Sequence, residues 1–558
     1  MIATNPAARV RPVYIAWGFA LLFFAAGQAF IERAGVNSDE ALFITPLLAP
    51  RKAIYLRLFH RPLPLMLLTY LGTLKTLIYK PIISVFGRNL WSLREPPLLA
   101  GAFTVVLFFL VLRRVSGDLA GLIGCGLLAT DSIYLITSCY DWGPVALQHL
   151  LLLSGALLAL RFYENRRLLP LAGAFFLWGL AMWDKALAVW ILSSMAVAAV
   201  LIFPRCLVGM VTRRRVAIAL LSFTLGAFPL LWFNYKQHWV TFRGNFTRDE
   251  HFYTKWPSLL YTLNGEGLFG WMMPFPNDPV PAPRPPDSGL AAASANISSL
   301  SGHPVKDWMV YGLGLALLLT PLVARGRDLR TILFCLVVLV AGWLQMTMTT
   351  GAGGSIHHVI LLWPLPQAIV AVALACASRR LGRAGRLAAA VAAGALMISN
   401  ALVVNEYFAV LNRGGSLTIW SPAVLPLSDY LRKTPAQHVF TVHWGLMDPL
   451  QFLNSGKLPL EDGNLPIAKP ALQPGDDALL FRILNAPGHL FVLQTKESEL
   501  FPGAWDKLLG FASEHGYDGQ VMARISDGYG RQVFEVWRFS KAGHERGDDT
   551  ISLGTSLE

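Results

Sequence analysis

The chain has 558 residues, of which 54% are apolar and only 15% charged, and its mean hydropathy is +0.48. Soluble domains carry about 25% charged residues, so these figures exclude a disordered chain, a fibrous repeat and an ordinary soluble enzyme, and point to a polytopic membrane protein. Five cysteines exclude a disulfide scaffold, and the formal charge of +13 is distributed in a way that does not suit a nucleic-acid binder.

Hydrocarbon cannot satisfy backbone polar groups, so a spanning helix needs about 20 mostly apolar residues. Val13–Ile31 is free of charge, follows Arg9 and Arg11, and lacks a small-residue cleavage site; it reads as an anchor that stays. Further candidates are Leu98–Leu112, Leu119–Cys139, Val145–Leu160, Leu168–Trp183, Ala186–Phe203, Val216–Tyr235, Trp308–Ala324, Thr331–Thr350, Val359–Ser378 and Leu387–Val404. The expectation is a polytopic all-α membrane protein with about eleven transmembrane helices.

With the N-terminus cytoplasmic, the cytoplasmic loops hold Arg113 and Arg114; Arg161, Arg166 and Arg167; Arg205 with Arg213–Arg215; Arg325, Arg327 and Arg330; and Arg379, Arg380, Arg383 and Arg386. The short loops opposite hold little that is basic beyond Lys185. This is the positive-inside pattern, and it assigns much of the basic balance to topology and anionic headgroups rather than to nucleic acid.

Three segments then fall on the outer face. In residues 32–97, the apolar run Leu63–Phe86 is interrupted by Lys75, Lys80, Pro62, Pro64 and Pro81, which predicts interfacial helices. In residues 236–307, the Pro-, Ala- and Ser-rich stretch Pro274–Ser301 reads as a mobile loop. From Asn405 onward the composition turns polar. Val439–Val442, His489–Gln494 and Gln532–Phe539 read as strands and Ala504–His515 as a helix, which predicts a small extracytoplasmic α/β domain. The expected division is a transmembrane catalytic domain over 1–409, the α/β domain over 410–540 and a disordered tail over 541–558. All five cysteines (Cys125, Cys139, Cys206, Cys335 and Cys376) lie in or beside predicted spans without metal-ligand spacing, and read as packing residues.

Polar groups at the outer span ends are the candidates for chemistry, because ionisable groups are costly near a membrane. Asp39 and Glu40 follow Asn37 and Ser38 just beyond the first span. Such a pair can supply the general base of a sugar transfer, which must take a proton from the acceptor hydroxyl, or can cap a helix beginning near Ala41. Asp141, in Tyr140-Asp141-Trp142-Gly143-Pro144, suits a helix start or a functional role equally. Asp131 lies within an apolar stretch and is expected to face a protein cavity or to be protonated. Lys185 is the basic group on the outer rim, where a phosphate would meet it; its other reading is a local pair with Asp184. His357 and His358 follow a Gly-rich turn, Gly351–Ser355, that can bind an anion through backbone N–H groups. Arg94 can clamp a phosphate or snorkel to the headgroups.

Taken together, these features resemble the GT-C superfamily of membrane glycosyltransferases: the group of protein O-mannosyltransferases, lipid A aminoarabinose transferases and core-galacturonosyltransferase-like proteins. The resemblance rests on the Asp39-Glu40 pair after the first span, on His60-Arg61-Pro62-Leu63-Pro64, on Gly72-Thr73-Leu74-Lys75 before Phe86-Gly87, on Ser92-Leu93-Arg94 leading to Pro96 and Gly101, and on the Gly179–Lys185 turn. It runs through residues 1–200 and continues by topology. In the turn, Asp184 and Ala186 stand where threonine and glycine are common in the family, which leaves phosphate contact by Lys185 less secure.

The resemblance implies an inverting transfer from a polyprenyl-phosphate-linked sugar at the outer face of a bacterial inner membrane. The acceptor would be a glycan, lipid or protein, with cell-envelope glycans such as lipopolysaccharide in view. Asp39 would be the general base, Glu40 its support and Asp141 an acceptor-positioning group. Lys185, Arg94, His357 and His358 would hold the donor phosphate, with His60 and Asp131 lining the acceptor site or cavity. Relatives differ in their use of a divalent metal, and no ligand set is in view here. The competing reading is a transporter or lipid flippase, which calls for repeated halves with interrupted helices and midplane acidic groups; no such repeat is visible. A third is a non-catalytic assembly protein, in which the Asp39-Glu40 pair would be replaceable.

Overall fold

The computed structural model describes residues 6–48, 54–58, 61–143, 145–245, 247–464, 466–467, 469, 472–499 and 503–541. Apolar stretches become helices because only a helix satisfies its own backbone within one segment. Five helices are long and apolar enough to cross a membrane: Leu90–Ser116, Ala146–Asn165, Arg213–Lys236, Gly326–Thr347 and Gly382–Gly414. Three bent pairs bring the number to eight when each is one span: Asp118–Thr130 with Ser132–Cys139, Ala188–Ile202 with Pro204–Met210, and Ile356–Leu362 with Leu365–Arg380. Pro12–Gln28, Leu168–Asp184 and Met309–Val323 are shorter apolar helices. By length and composition the described residues thus hold five to eight candidate spans.

The Leu365–Arg380 helix is buried on every side from Pro366 to Ser378 and forms the axis of the bundle. The Leu168–Asp184 and Arg213–Lys236 helices touch backbone to backbone, for a Cβ on Gly179 would lie 2.3 Å from the Phe223 carbonyl oxygen. That contact fixes the helix whose end carries Lys185.

The segment after the first helix departs from the expected interfacial helices. Strands β1 (Ile54–Leu58), β2 (Arg61–Leu68) and β3 (Leu71–Gly72) form a small antiparallel sheet, and of the apolar run Leu63–Phe86 the part Leu74–Phe86 is helical. Pro62 and Pro64 lack the N–H a helix interior requires, but are tolerated in a short edge pairing. The mobile loop expected over Pro274–Ser301 is also partly structured. Gly289–Leu300 is a helix capped by the Ser288 side chain, and Ser294 Oγ bonds the Asn405 carbonyl at 3.2 Å.

The Gly382–Gly414 helix, about 50 Å long, leads into a five-stranded sheet of β4 (His438–Thr441), β5 (Leu460–Asp462), β6 (His489–Gln494), β7 (Tyr517–Ser526) and β8 (Gln532–Lys541). The strand order is β5-β4-β6-β8-β7, parallel among β5, β4 and β6 and antiparallel across β8. Side chains alternate between two cores. Val439, Leu490 and Val492 pack with the Val424–Lys433 and Met447–Leu453 helices, and Phe440, Phe491 and Leu493 with the Asp476–Leu484 and Ala504–Glu514 helices. Beyond Lys541 the expected tail lies outside the described residues.

Candidate active site

The site begins with the four-residue helix Ser38–Ala41. Asn37 caps it, its Oδ1 accepting from the Asp39 N–H at 2.7 Å, and the Glu40 carboxylate returns to accept from the Asn37 N–H at 3.0 Å. The sequence left this acidic pair between base and cap, and the structure gives the returning cap bond to Glu40. Glu40 is the capping residue and also grips Arg94, with Nε–Oε2 2.8 Å and Nη2–Oε1 2.6 Å. Asp39 turns away and accepts from the Gly143 N–H at 3.3 Å.

Arg94 is fully occupied. Besides Glu40 it donates to the carbonyls of Ile31, Ala34 and Gly35, and its guanidinium lies 4.6 Å from the centre of the Tyr140 ring. All five guanidinium N–H groups are used, so none is left for the donor phosphate that the sequence assigned to it. Its work is to tie the end of the first helix to the Ser38–Ala41 helix.

Asp141 sits in the turn after the Ser132–Cys139 helix at φ +45°. Lys75 reaches both of its oxygens at 2.7 Å, and both side chains are buried. Sequence reasoning used Lys75 as an interruption of an apolar run and as the end of the Gly72–Lys75 motif, and gave it no role at the site. A cation in such a run is itself a site signal, and it marks the second lysine here. Burial pushes the Asp141 carboxyl up to about 6 against the pull of Lys75.

Lys185 follows the Leu168–Asp184 helix. A backbone bond from the Ala186 N–H to the Tyr70 carbonyl (2.9 Å) and a side-chain bond from Gln148 Nε2 to the Lys185 carbonyl (2.8 Å) hold this turn. Its ammonium donates to the Gly143 carbonyl at 2.5 Å. Gly143 therefore joins carboxylate and cation: its N–H meets Asp39 and its C=O meets Lys185. It sits at φ +73°, and a Cβ there would lie 2.6 Å from the His357 carbonyl oxygen. Only glycine fits.

Burial raises the Asp39 carboxyl above its ordinary range, opposed by Lys185, the Gly143 N–H and Lys75. Burial lowers the Lys185 ammonium to about 8, opposed chiefly by Asp39. Asp184, the residue before it, is buried with neither carboxylate oxygen hydrogen-bonded among the described residues.

His357 lies against this turn, its ring centre 5.2 Å from that of Trp142 and its Nδ1 2.7 Å from Ser355 Oγ. The His358 ring lies beside it, centres 4.1 Å apart and tilted by 46°, with its Nδ1 buried and without a hydrogen-bond partner among the described residues. Asp131 is not at this site. It caps the Ser132–Cys139 helix through the Tyr134 N–H (2.8 Å) and receives Trp363 Nε1 (2.8 Å) and Gln367 Nε2 (2.7 Å). Its oxygens are committed to holding a bent span, which corrects its assignment to the acceptor cavity. His60 lies outside the described residues. No group of three or more His, Cys, Asp or Glu side chains converges on a metal position among the described residues.

The structure also scatters three residues that are close in sequence. His438 pairs with Glu461 at 2.6 Å, His443 faces Glu499 at 3.8 Å, and Asp448 turns to accept from Ser38 Oγ at 3.0 Å.

Residues 74–233 match the family model described as dolichyl-phosphate-mannose-protein mannosyltransferase. No curated protein matches the chain. Among solved structures, ArnT from Cupriavidus metallidurans in the apo state is 12% identical with a TM-score of 0.49, covering 95% of this chain and 98% of that one. The Archaeoglobus fulgidus oligosaccharyltransferase in the apo form is 12% identical with a TM-score of 0.49, covering 94% and 74%. Arabinosyltransferase EmbB from Mycobacterium smegmatis is 16% identical with a TM-score of 0.36, covering 69% and 32%.

Proposed function

We propose that the chain is a membrane glycosyltransferase of the GT-C superfamily, a reading that the match of residues 74–233 to the dolichyl-phosphate-mannose-protein mannosyltransferase model supports, and that it moves a sugar from a polyprenyl-phosphate-linked donor to an acceptor hydroxyl with inversion. The observation that carries this reading is the arrangement about Gly143, with a half-buried carboxylate on its N–H and a buried ammonium on its C=O.

The acceptor oxygen attacks the anomeric carbon from the face opposite the phosphate. A C–O bond forms there, the bond from the anomeric carbon to the phosphate oxygen breaks with its electron pair, and the hydroxyl proton passes to Asp39. The phosphate leaves with charge that Lys185 is placed to stabilise. An ammonium bound to one carbonyl keeps two further N–H donors for this. Asp141 holds Lys75 within the same field, and His357 and His358 form the wall beside it. Glu40 supports Asp39 by closing its helix onto Arg94.

The arginine distribution supports placing this site, and the region 410–540, on the outer side of an inner membrane. A transporter or flippase, the alternative, has no need of a carboxylate and a cation sharing one glycine.

The test is turnover. The protein in lipid nanodiscs is given radiolabelled polyprenyl-phosphate sugars and a membrane-extract acceptor, and free polyprenyl phosphate is measured. Acceptor-dependent release is expected. No release with any donor, together with movement of the intact lipid between leaflets, overturns the reading in favour of a flippase.

A further inference from the structure

The C-terminal region has no catalytic pattern of its own in the sequence, yet one of its carboxylates reaches the helix that carries Asp39. Ser38, the residue before Asp39, donates from Oγ to Asp448 Oδ2 at 3.0 Å. Asp448 stands in the first turn of the Met447–Leu453 helix. That helix is anchored one turn further on by Phe452, which is buried in one apolar cluster with Val36, Ala41, Phe43 and Leu93 around the Ser38–Ala41 helix. The second oxygen, Oδ1, is buried with no hydrogen-bond partner among the described residues.

We propose that Asp448 is a positioning residue for the transfer reaction, by which the C-terminal region completes the active site: it holds Ser38 and sets a second negative charge beside the base. The inference rests on the reading of Asp39 as that base. A carboxylate beside another favours the protonated form of its neighbour and so makes it the stronger base. The charged and titratable groups facing Asp39 come from several elements. Lys185, from the turn after the Leu168–Asp184 helix, and Lys75, from the Leu74–Phe86 helix, oppose protonation; Asp448 favours it. Asp141 and Tyr70 feel the Asp39 charge in turn. Glu40, next in the chain, is neutralised by Arg94. Asp448 is the group in this set contributed by the C-terminal region. It touches Ser38 rather than any reacting atom, so its effect on catalysis passes through Asp39.

The first readout needs no donor. The full chain in nanodiscs is treated with a hydrophobic carbodiimide, which modifies protonated carboxyls, over a pH series, and labelling of the Asp39 peptide is read by mass spectrometry. Asp448→Asn is expected to move the labelling midpoint to lower pH, because it removes the neighbouring charge. Asp448→Glu, which keeps the charge, is expected to restore it, and Ser38→Ala to move it less than Asp448→Asn. In the release assay, Asp448→Asn is expected to lower kcat, leave the donor KM in place and shift the acidic limb of the pH profile in step with the labelling. A midpoint unmoved by Asp448→Asn, in a protein whose Asp39→Asn variant has lost transfer, overturns this inference alone. Transfer retained by Asp39→Asn overturns the base assignment, and with it the catalytic role given to Asp448.

Discussion

Asp39 and Lys185 meet the same residue from opposite sides: the Asp39 carboxylate accepts from the Gly143 N–H at 3.3 Å, and the Lys185 ammonium donates to the Gly143 carbonyl at 2.5 Å. One planar link on each side of a single α-carbon thus sets the spacing between proton acceptor and cation. Each also stabilises the charged form of the other across a buried site.

This coupling predicts the pH dependence. Burial holds the Asp39 carboxyl above its ordinary range, so as pH falls the base is protonated earlier than an exposed aspartate would be. Burial brings Lys185 down to about 8, so its positive charge is lost as pH rises through that value. The expected profile of kcat/KM is a bell with its alkaline limb near pH 8 and its acidic limb above the range of a free aspartate. Lys185→Arg keeps the charge at every working pH and is expected to remove the alkaline limb. A pH titration of wild type and variant checks both limbs.

Gly143→Ala tests the shared residue itself. The new Cβ would lie 2.6 Å from the His357 carbonyl at a φ of +73°, a strain of about 1–3 kcal/mol. The turn must move, and displacement of about 1 Å at a reacting centre costs about 100-fold in rate. Transfer is expected to fall by about that factor with helical content unchanged, as measured by the release assay and circular dichroism.

The Arg94–Glu40 pair predicts a stability effect rather than a donor-binding effect. Both side chains are fully buried, and removing one partner leaves an uncompensated charge at a cost of about 3–5 kcal/mol. Arg94→Met is expected to unfold at markedly lower temperature, and the double variant with Glu40→Gln to recover part of the loss. Thermal denaturation in nanodiscs measures both. A donor KM that rises in a protein of unchanged stability would return Arg94 to phosphate binding.

Asp131 is expected to behave as a structural residue as well. Its carboxylate accepts three hydrogen bonds that hold a span bent by 60°, and bonds to a charged group contribute about 1.5–3 kcal/mol each. Asp131→Ala is expected to destabilise by about 3 kcal/mol or more while leaving both limbs of the pH profile in place, measured by denaturation and titration of the same preparation.

The apolar helices were legible in the sequence because hydrocarbon imposes a long, charge-free pattern. So were the strands His489–Gln494 and Gln532–Phe539 and the helix from Ala504, whose alternation and amphipathicity are local. The β1–β2 hairpin was not, because its apolar run matches a helix in composition and differs only where the prolines fall. At the candidate site, Asp39, Asp141 and Lys185 were singled out from their place at span ends, and the folded chain brings them together. What no local pattern shows is which cation pairs with which carboxylate. Arg94, expected at the donor phosphate, is saturated by carbonyls and Glu40, and Lys75, of which no site role was expected, is seated on Asp141. Asp448 comes from a part of the chain 410 residues distant from Ser38, a contact that only the folded chain makes.

The central claim is that Asp39 takes the acceptor proton. It is tested most directly by measuring polyprenyl phosphate release by Asp39→Asn beside wild type, with donor binding measured on the same samples. The amide keeps the shape of the side chain and its acceptor for the Gly143 N–H, and loses the basicity and the charge. Because that charge helps to keep Lys185 protonated, both measurements are made well below pH 8; there the account predicts donor binding retained and release reduced by about 100- to 10,000-fold. Release at the wild-type rate would contradict it.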